Sequence, residues 1–130
     1  MIILAIDPGK SKCGVAILSE DHCIYRKVYK STSLKDKIKN LADTYNFNLV
    51  VVGNGTYSKY FINLLEKDYE VKTIDESNST LEGRKLYFYY NPPVGLKKFI
   101  LKGLLSSSVD IDDYVAEVIG KRYIDKNHTT

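Results

Sequence analysis

Residues 1–18 read MIILAIDPGKSKCGVAIL, and the pattern in this stretch decides the fold. Ile2 to Ile6 is an unbroken apolar run, the signature of a strand covered on both faces. The run stops at Asp7, and Pro8-Gly9 then ends the strand and lets the chain reverse. Cys13 to Leu18 reads as a second strand, in which Gly14 and Ala16 are small enough for close packing. An acidic group is thus carried to the end of a central strand and held there by a rigid turn. A carboxylate in that position is costly to desolvate unless it meets a cation or a hydrogen-bond donor. Two roles are open to Asp7: a cap on the turn's own amides, which this stretch alone favours, or a metal ligand.

Outward from there, Ser19-Glu20-Asp21-His22 is a polar turn, and Cys23 to Tyr29 alternates as a third strand antiparallel to the second. Ser33 is expected to cap a helix running to about Tyr45, with Leu34, Ile38 and Leu41 on its apolar face. Leu49 to Val52 is a second fully apolar run, hence a central parallel strand, and it ends in Gly53-Asn54-Gly55-Thr56. That loop lacks the third glycine of a dinucleotide fingerprint and the Gly-Lys-Ser/Thr of a P-loop. It therefore reads as a strand-to-helix turn. A helix over 57–67 follows, with Tyr60, Phe61, Leu64 and Leu65 as its apolar stripe. A fifth strand from Glu70 to Ile74 ends in the carboxylates Asp75 and Glu76. Ser79 and Glu82 have capping-box spacing at the start of a helix that Asn91-Pro92-Pro93 stops. A short basic helix is expected over 94–104, then a last helix from Asp113 to Ile124 and a frayed tail over 125–130.

This order predicts an α/β domain over residues 1–124. Its mixed five-stranded sheet has three antiparallel then two parallel strands, is flanked by helices, and holds the first and fourth strands side by side at its centre. Sites in such sheets form beyond the carboxyl ends of the strands. Asp7 and Glu76 stand at two of those ends, and Asp110, Asp112 and Asp113 gather at the start of the last helix. Each has an ordinary explanation alone: Glu76 as a loop carboxylate, the aspartates as a run favoured by the helix dipole. Their recurrence at three sheet-end positions, with no catalytic His, Cys or Ser grouping to rival it, points to a hard divalent cation. Phosphodiester hydrolysis is the chemistry that uses two such ions held by carboxylates.

Composition sets the outer bounds. At 130 residues, 44% hydrophobic and 27% charged, the chain has the make-up of one soluble globular domain. It has no apolar run near the ~20 residues that cross a bilayer and no signal-peptide pattern at its start. A cytoplasmic protein is expected. Cys13 and Cys23, without paired Cys-x-x-Cys spacing, read as free thiols rather than a zinc site with His22. The net charge of +3, from 19 basic and 16 acidic residues, is compatible with a nucleic-acid partner but does not demand one.

Four motifs stand in order: Asp7-Pro8-Gly9 with Gly14-Val15-Ala16; Val50-Val51-Val52-Gly53; Asp75-Glu76 followed by Ser79-Thr80; and Asp113-x-x-Ala116. Together they resemble the YqgF/RuvX group of the RNase H-like superfamily, which is related to the RuvC Holliday junction resolvases. The resemblance implies an RNase H-like fold and a metal-dependent nuclease acting on branched DNA or on precursor ribosomal RNA. It implies two Mg²⁺ or Mn²⁺ ions, with Asp7 bridging them and Glu76 and Asp113 each holding one. The Asp110-x-x-Asp113 spacing adds Asp110 as a fourth catalytic carboxylate and metal ligand, with Asp112 as the less favoured substitute.

The chain departs from the group's pattern at several places. Ser77 stands where an arginine is expected, Ser79 where a threonine is, and Gly83 where an alanine is usual. A phosphate contact is then sought at Lys10, Lys12 or Arg84. Lys97, Lys98 and Lys102, with Tyr89 or Tyr90 for stacking, form a further candidate nucleic-acid surface or simply a solvated helix face. Actin-like and sugar-kinase ATPases need a second Asp-x-Gly turn and far more chain than this. A non-catalytic nucleic-acid-binding module that keeps the fold is the alternative that Ser77 leaves open. Monomer and homodimer are both open.

Overall fold

The apolar run that follows Met1 forms β1 (Ile2–Asp7), whose residues Ile3 to Ile6 have no exposed surface. The computed structural model describes residues 1–92 and 110–128. β1 pairs antiparallel with β2 (Lys12–Ser19), and β2 pairs antiparallel with β3 (His22–Lys30). On its other side β1 pairs parallel with β4 (Leu49–Gly53), which pairs parallel with β5 (Val71–Ile74). The sheet order is β3-β2-β1-β4-β5, so the two wholly apolar strands lie side by side, as expected. Four α-helices are described: α1 (Leu34–Tyr45), α2 (Ser58–Leu65), α3 (Ser79–Tyr90) and α4 (Asp112–His128).

Period-two alternation divides the strands between two cores. Leu4, Ile6, Val15, Ile17, Val50 and Val52 face Leu34, Ile38 and Leu41 of α1 and Phe61 and Leu65 of α2. Ile3, Ala5, Ala16, Leu18, Leu49 and Val51 face Val115, Ala116, Ile119 and Ile124 of α4. α3 packs chiefly on α4. Among the described residues no helix is long and apolar enough to cross a membrane. Both cysteines are free thiols, Cys13 buried and Cys23 half-buried.

Several local expectations are corrected. Ser33 precedes α1, but its hydroxyl donates back to the Lys30 carbonyl (3.0 Å) and caps no helix N–H. The capping box at α3 does not form: Asn78 opens the helix at φ 61 with no side-chain cap, and Ser79 is buried. Glu82 is drawn away to Arg122 of α4, Nη2 to Oε1 3.1 Å. Tyr60 is 48% exposed, so the buried stripe of α2 is Phe61 and Leu65. The tail expected to fray from Asp125 continues α4 to His128, because Ile124 is buried and the Asn127 side chain donates to the Tyr123 carbonyl (2.8 Å). The helix expected over 94–104, with Lys97, Lys98 and Lys102, lies outside the described residues.

Candidate active site

Asp7 is the last residue of β1 and sits opposite Gly14 of β2. The turn between them is fastened from the far end of the meander: the buried Ser31 donates from its hydroxyl to the Gly9 carbonyl (2.8 Å) and from its N–H to Ser11 O (3.0 Å). Nothing in the polar run Ser31-Thr32-Ser33 announces that role. Burial, then the charges of Asp112 and Glu76, push the Asp7 carboxyl up from 3.8 to about 8.

Glu76 follows β5 in a turn whose geometry is heavily specified. Asp75 accepts from the Ser77 N–H (3.1 Å) and hydroxyl (2.8 Å), an Asx turn that holds the Asp75 carboxyl below its usual range. Ser77, the residue that replaces the expected arginine, thus shapes the backbone around Glu76. A guanidinium still reaches this turn, from another element: Arg122 of α4 donates to the Asp75 carbonyl at 2.9 Å. On the β4 side, the Asn54 N–H donates to the Ile74 carbonyl (3.0 Å) and Asn54 Oδ1 accepts the Glu76 N–H (3.2 Å). Burial raises the Glu76 carboxyl and the Gly55 backbone opposes it.

The third group of carboxylates opens α4. Ile111 anchors this end in the core, and Val115 N–H donates to its carbonyl at 2.9 Å. The backbone here lies against β2 so closely that a Cβ on Gly14 would overlap the Asp112 carbonyl and come within 2.7 Å of Asp113 N. The three aspartates then diverge. Asp112 is the acidic neighbour that weighs most on Asp7. Asp113 turns toward β3, where it lines a groove with Cys23, Ile24, Tyr25, Arg26 and Tyr114 and feels the Arg26 charge. Asp110 is exposed and forms an ion pair with Lys12. Asp7 thus feels Asp112 and Glu76, while Asp112 itself feels Lys12, Asp110 and Asp113.

Of the expected phosphate contacts, Lys10 on the β1–β2 turn and Lys12 at the start of β2 are exposed, and Arg84 is half-buried on α3. Tyr89 is 77% exposed, whereas Tyr90 lies against the Arg26 guanidinium at 4.8 Å from its ring centroid.

Among the described residues no three His, Cys, Asp or Glu side chains are grouped closely enough to hold an ion as they stand. The donor chemistry nevertheless fits a hard divalent cation. Two carboxylates repel Asp7 in a partly desolvated setting, and a bound cation would relieve that repulsion.

No protein-family model matches the chain. No curated protein matches it either. Solved structures do. RuvC from Thermus thermophilus in complex with a Holliday junction substrate aligns with TM-score 0.64 at 11% identity, over 99% of this chain and 96% of that one. A second T. thermophilus RuvC structure aligns with TM-score 0.63 at 11% identity, over 100% and 98%. The Fowlpox virus resolvase in complex with Holliday junction DNA aligns with TM-score 0.61 at 15% identity, over 98% and 99%. At these identities the likeness is one of fold, and the fold is the RuvC-like RNase H fold.

Proposed function

We propose that the chain is a cytoplasmic, divalent-metal-dependent nuclease that hydrolyses phosphodiester bonds in branched DNA. One observation carries the reading: the buried Asp7, at the carboxyl end of the central strand β1, is loaded by the charges of Asp112 and Glu76 from two other parts of the chain. The fold likeness to RuvC and the poxvirus resolvase, both described with Holliday junctions, supports branched DNA over precursor ribosomal RNA. Membership of the YqgF/RuvX group rests on the sequence motifs alone.

In this reading Asp7, Glu76 and Asp112 hold Mg²⁺ or Mn²⁺, with Asp110 and Asp113 as the further carboxylates of the cluster. Two bound ions would supply Lewis-acid activation of water and stabilisation of the leaving oxygen. The chain's own residues do the rest. The β1–β2 turn fixes Asp7, the β5–α3 turn fixes Glu76, and the first turn of α4 brings Asp112 up to Gly14. Lys10 and Lys12 offer cations to the phosphate backbone at the rim of the site.

The test is cleavage of a labelled four-way junction, a linear duplex and a structured RNA, each with Mn²⁺ or with EDTA. Wild type and Asp7→Asn are run side by side. Mn²⁺-dependent cutting of the junction that Asp7→Asn abolishes is the expected result. Undiminished cutting by Asp7→Asn would sink the assignment, and binding without cutting by wild type would favour the non-catalytic module.

A further inference from the structure

The loop Gly53-Asn54-Gly55 does not have the phosphate-loop signature, yet it meets a carboxylate of this protein's own. A Cβ built on Gly55 would overlap Glu76 Oε1, and its three nearest heavy atoms all belong to the Glu76 carboxylate group. A Cβ on Gly53 would likewise fall on Glu76 Oε2 and within 3.0 Å of its Cδ. Gly55 does not lie in the left-handed region, so its backbone conformation is open to any residue. What excludes a side chain at 55 is the Glu76 carboxylate alone. Asn54 between the two glycines ties the loop to the Glu76 turn at both ends, through the Ile74 carbonyl and the Glu76 N–H.

We infer that this loop is a cradle for Glu76, with Gly55 a positioning residue that leaves its carboxylate the one place from which it can face Asp7. The inference rests on Glu76 being a metal ligand of the proposed nuclease, but the cradle itself can be tested without metal. The obstructing atoms are the far end of a flexible side chain, so Gly55→Ala should fold while pushing Glu76 off its position. The effect on the metal should resemble other losses of the groups that orient ligands, about 10–100-fold in affinity.

The experiment is a double-substitution cycle on the full chain: wild type, Gly55→Ala, Glu76→Ala and the pair. In EDTA, thermal unfolding reads the cradle. Gly55→Ala should lower Tm with Glu76 present and leave it unchanged or raise it once Glu76 is truncated, since removing a glycine then only restricts the unfolded chain. Mn²⁺ titration by calorimetry reads the positioning: Gly55→Ala should weaken binding about tenfold or more and have no further effect beside Glu76→Ala. The same Tm change in both backgrounds, or Mn²⁺ affinity untouched by Gly55→Ala, overturns the inference. A wild type that binds no Mn²⁺ and cuts no junction overturns the nuclease reading instead, and the Tm cycle then decides the cradle by itself.

Discussion

Arg26 Nε on β3 lies 3.1 Å from Oε1 of Glu117 on α4, a carboxylate with no exposed surface. Lys121 Nζ approaches the other oxygen at 2.9 Å, and the Arg26 guanidinium sits 4.1 Å from the ring centroid of Tyr114. This cluster ties α4 to the edge of the sheet one turn after the aspartates at its start. It therefore holds in place the helix that carries Asp112.

Removing one partner of such a pair strands a buried charge, at a cost of about 3–5 kcal/mol. Glu117→Ala and Arg26→Ala should each lose stability in urea unfolding, Glu117→Ala toward the lower end because the cations it leaves, Arg26 and Lys121, are 23% and 37% exposed. The double substitution Arg26→Met/Glu117→Leu should cost less than either single change. Single changes that each cost under about 1 kcal/mol would show that the pair does not hold α4.

Asp7 makes the metal-free protein sensitive to pH. Its folded carboxyl titrates at about 8 against an ordinary 3.8, so the folded state holds a proton that the unfolded state releases. The stability this gives is complete at pH values below the ordinary one and is lost as pH rises through about 8. In EDTA, Tm should fall across that window, and Asp7→Asn should flatten the fall and raise Tm by several degrees at its alkaline end. Parallel profiles for the two proteins would contradict the shift.

The divergence of the aspartates ranks their substitutions. Asp112→Asn should reduce Mn²⁺-dependent junction cleavage by about a hundredfold or more, on the scale of losing a group that stabilises the transition state. Asp113→Asn, whose carboxylate faces Arg26, should cost less than about tenfold. Comparable kcat values for wild type and Asp112→Asn, with collapse only in Asp113→Asn, would favour Asp113, the ligand that the family resemblance implies.

Lys12 is paired with Asp110, and both side chains are about half exposed. Such an exposed pair adds little to stability, so Lys12→Gln should leave the unfolding midpoint nearly unchanged. If Lys12 meets a phosphate, the same substitution weakens junction binding uniformly and lowers the salt slope by about 1. An unchanged salt slope would remove Lys12 from the interface.

The sheet was legible in the sequence because β1 and β4 are apolar without interruption, which only a strand covered on both faces requires. From those two strands followed their parallel pairing at the centre and the placing of Asp7 at a strand end. The cap of α3 was not legible, since a partner 40 residues away in sequence, Arg122, competes with the local bond to Glu82. Nor was the buried charge of Glu117, which is stabilised by cations from β3 and from its own helix.

The different surroundings of Asp110, Asp112 and Asp113 come from tertiary structure and not from their spacing. Successive helix residues turn by about 100°, so spacing within a run of aspartates does not say which one faces the sheet end. That phase is set by Ile111, Val115, Ala116 and Ile119 burying themselves against the sheet, and by the close approach of the helix to Gly14. The sequence by itself determined which carboxylates the protein carries to one end of its sheet. Their surroundings depend on packing between elements far apart in the chain, where burial of the apolar face of α4 leaves the Asp112 charge acting on Asp7, Asp113 in a groove with Arg26 and Asp110 paired with Lys12.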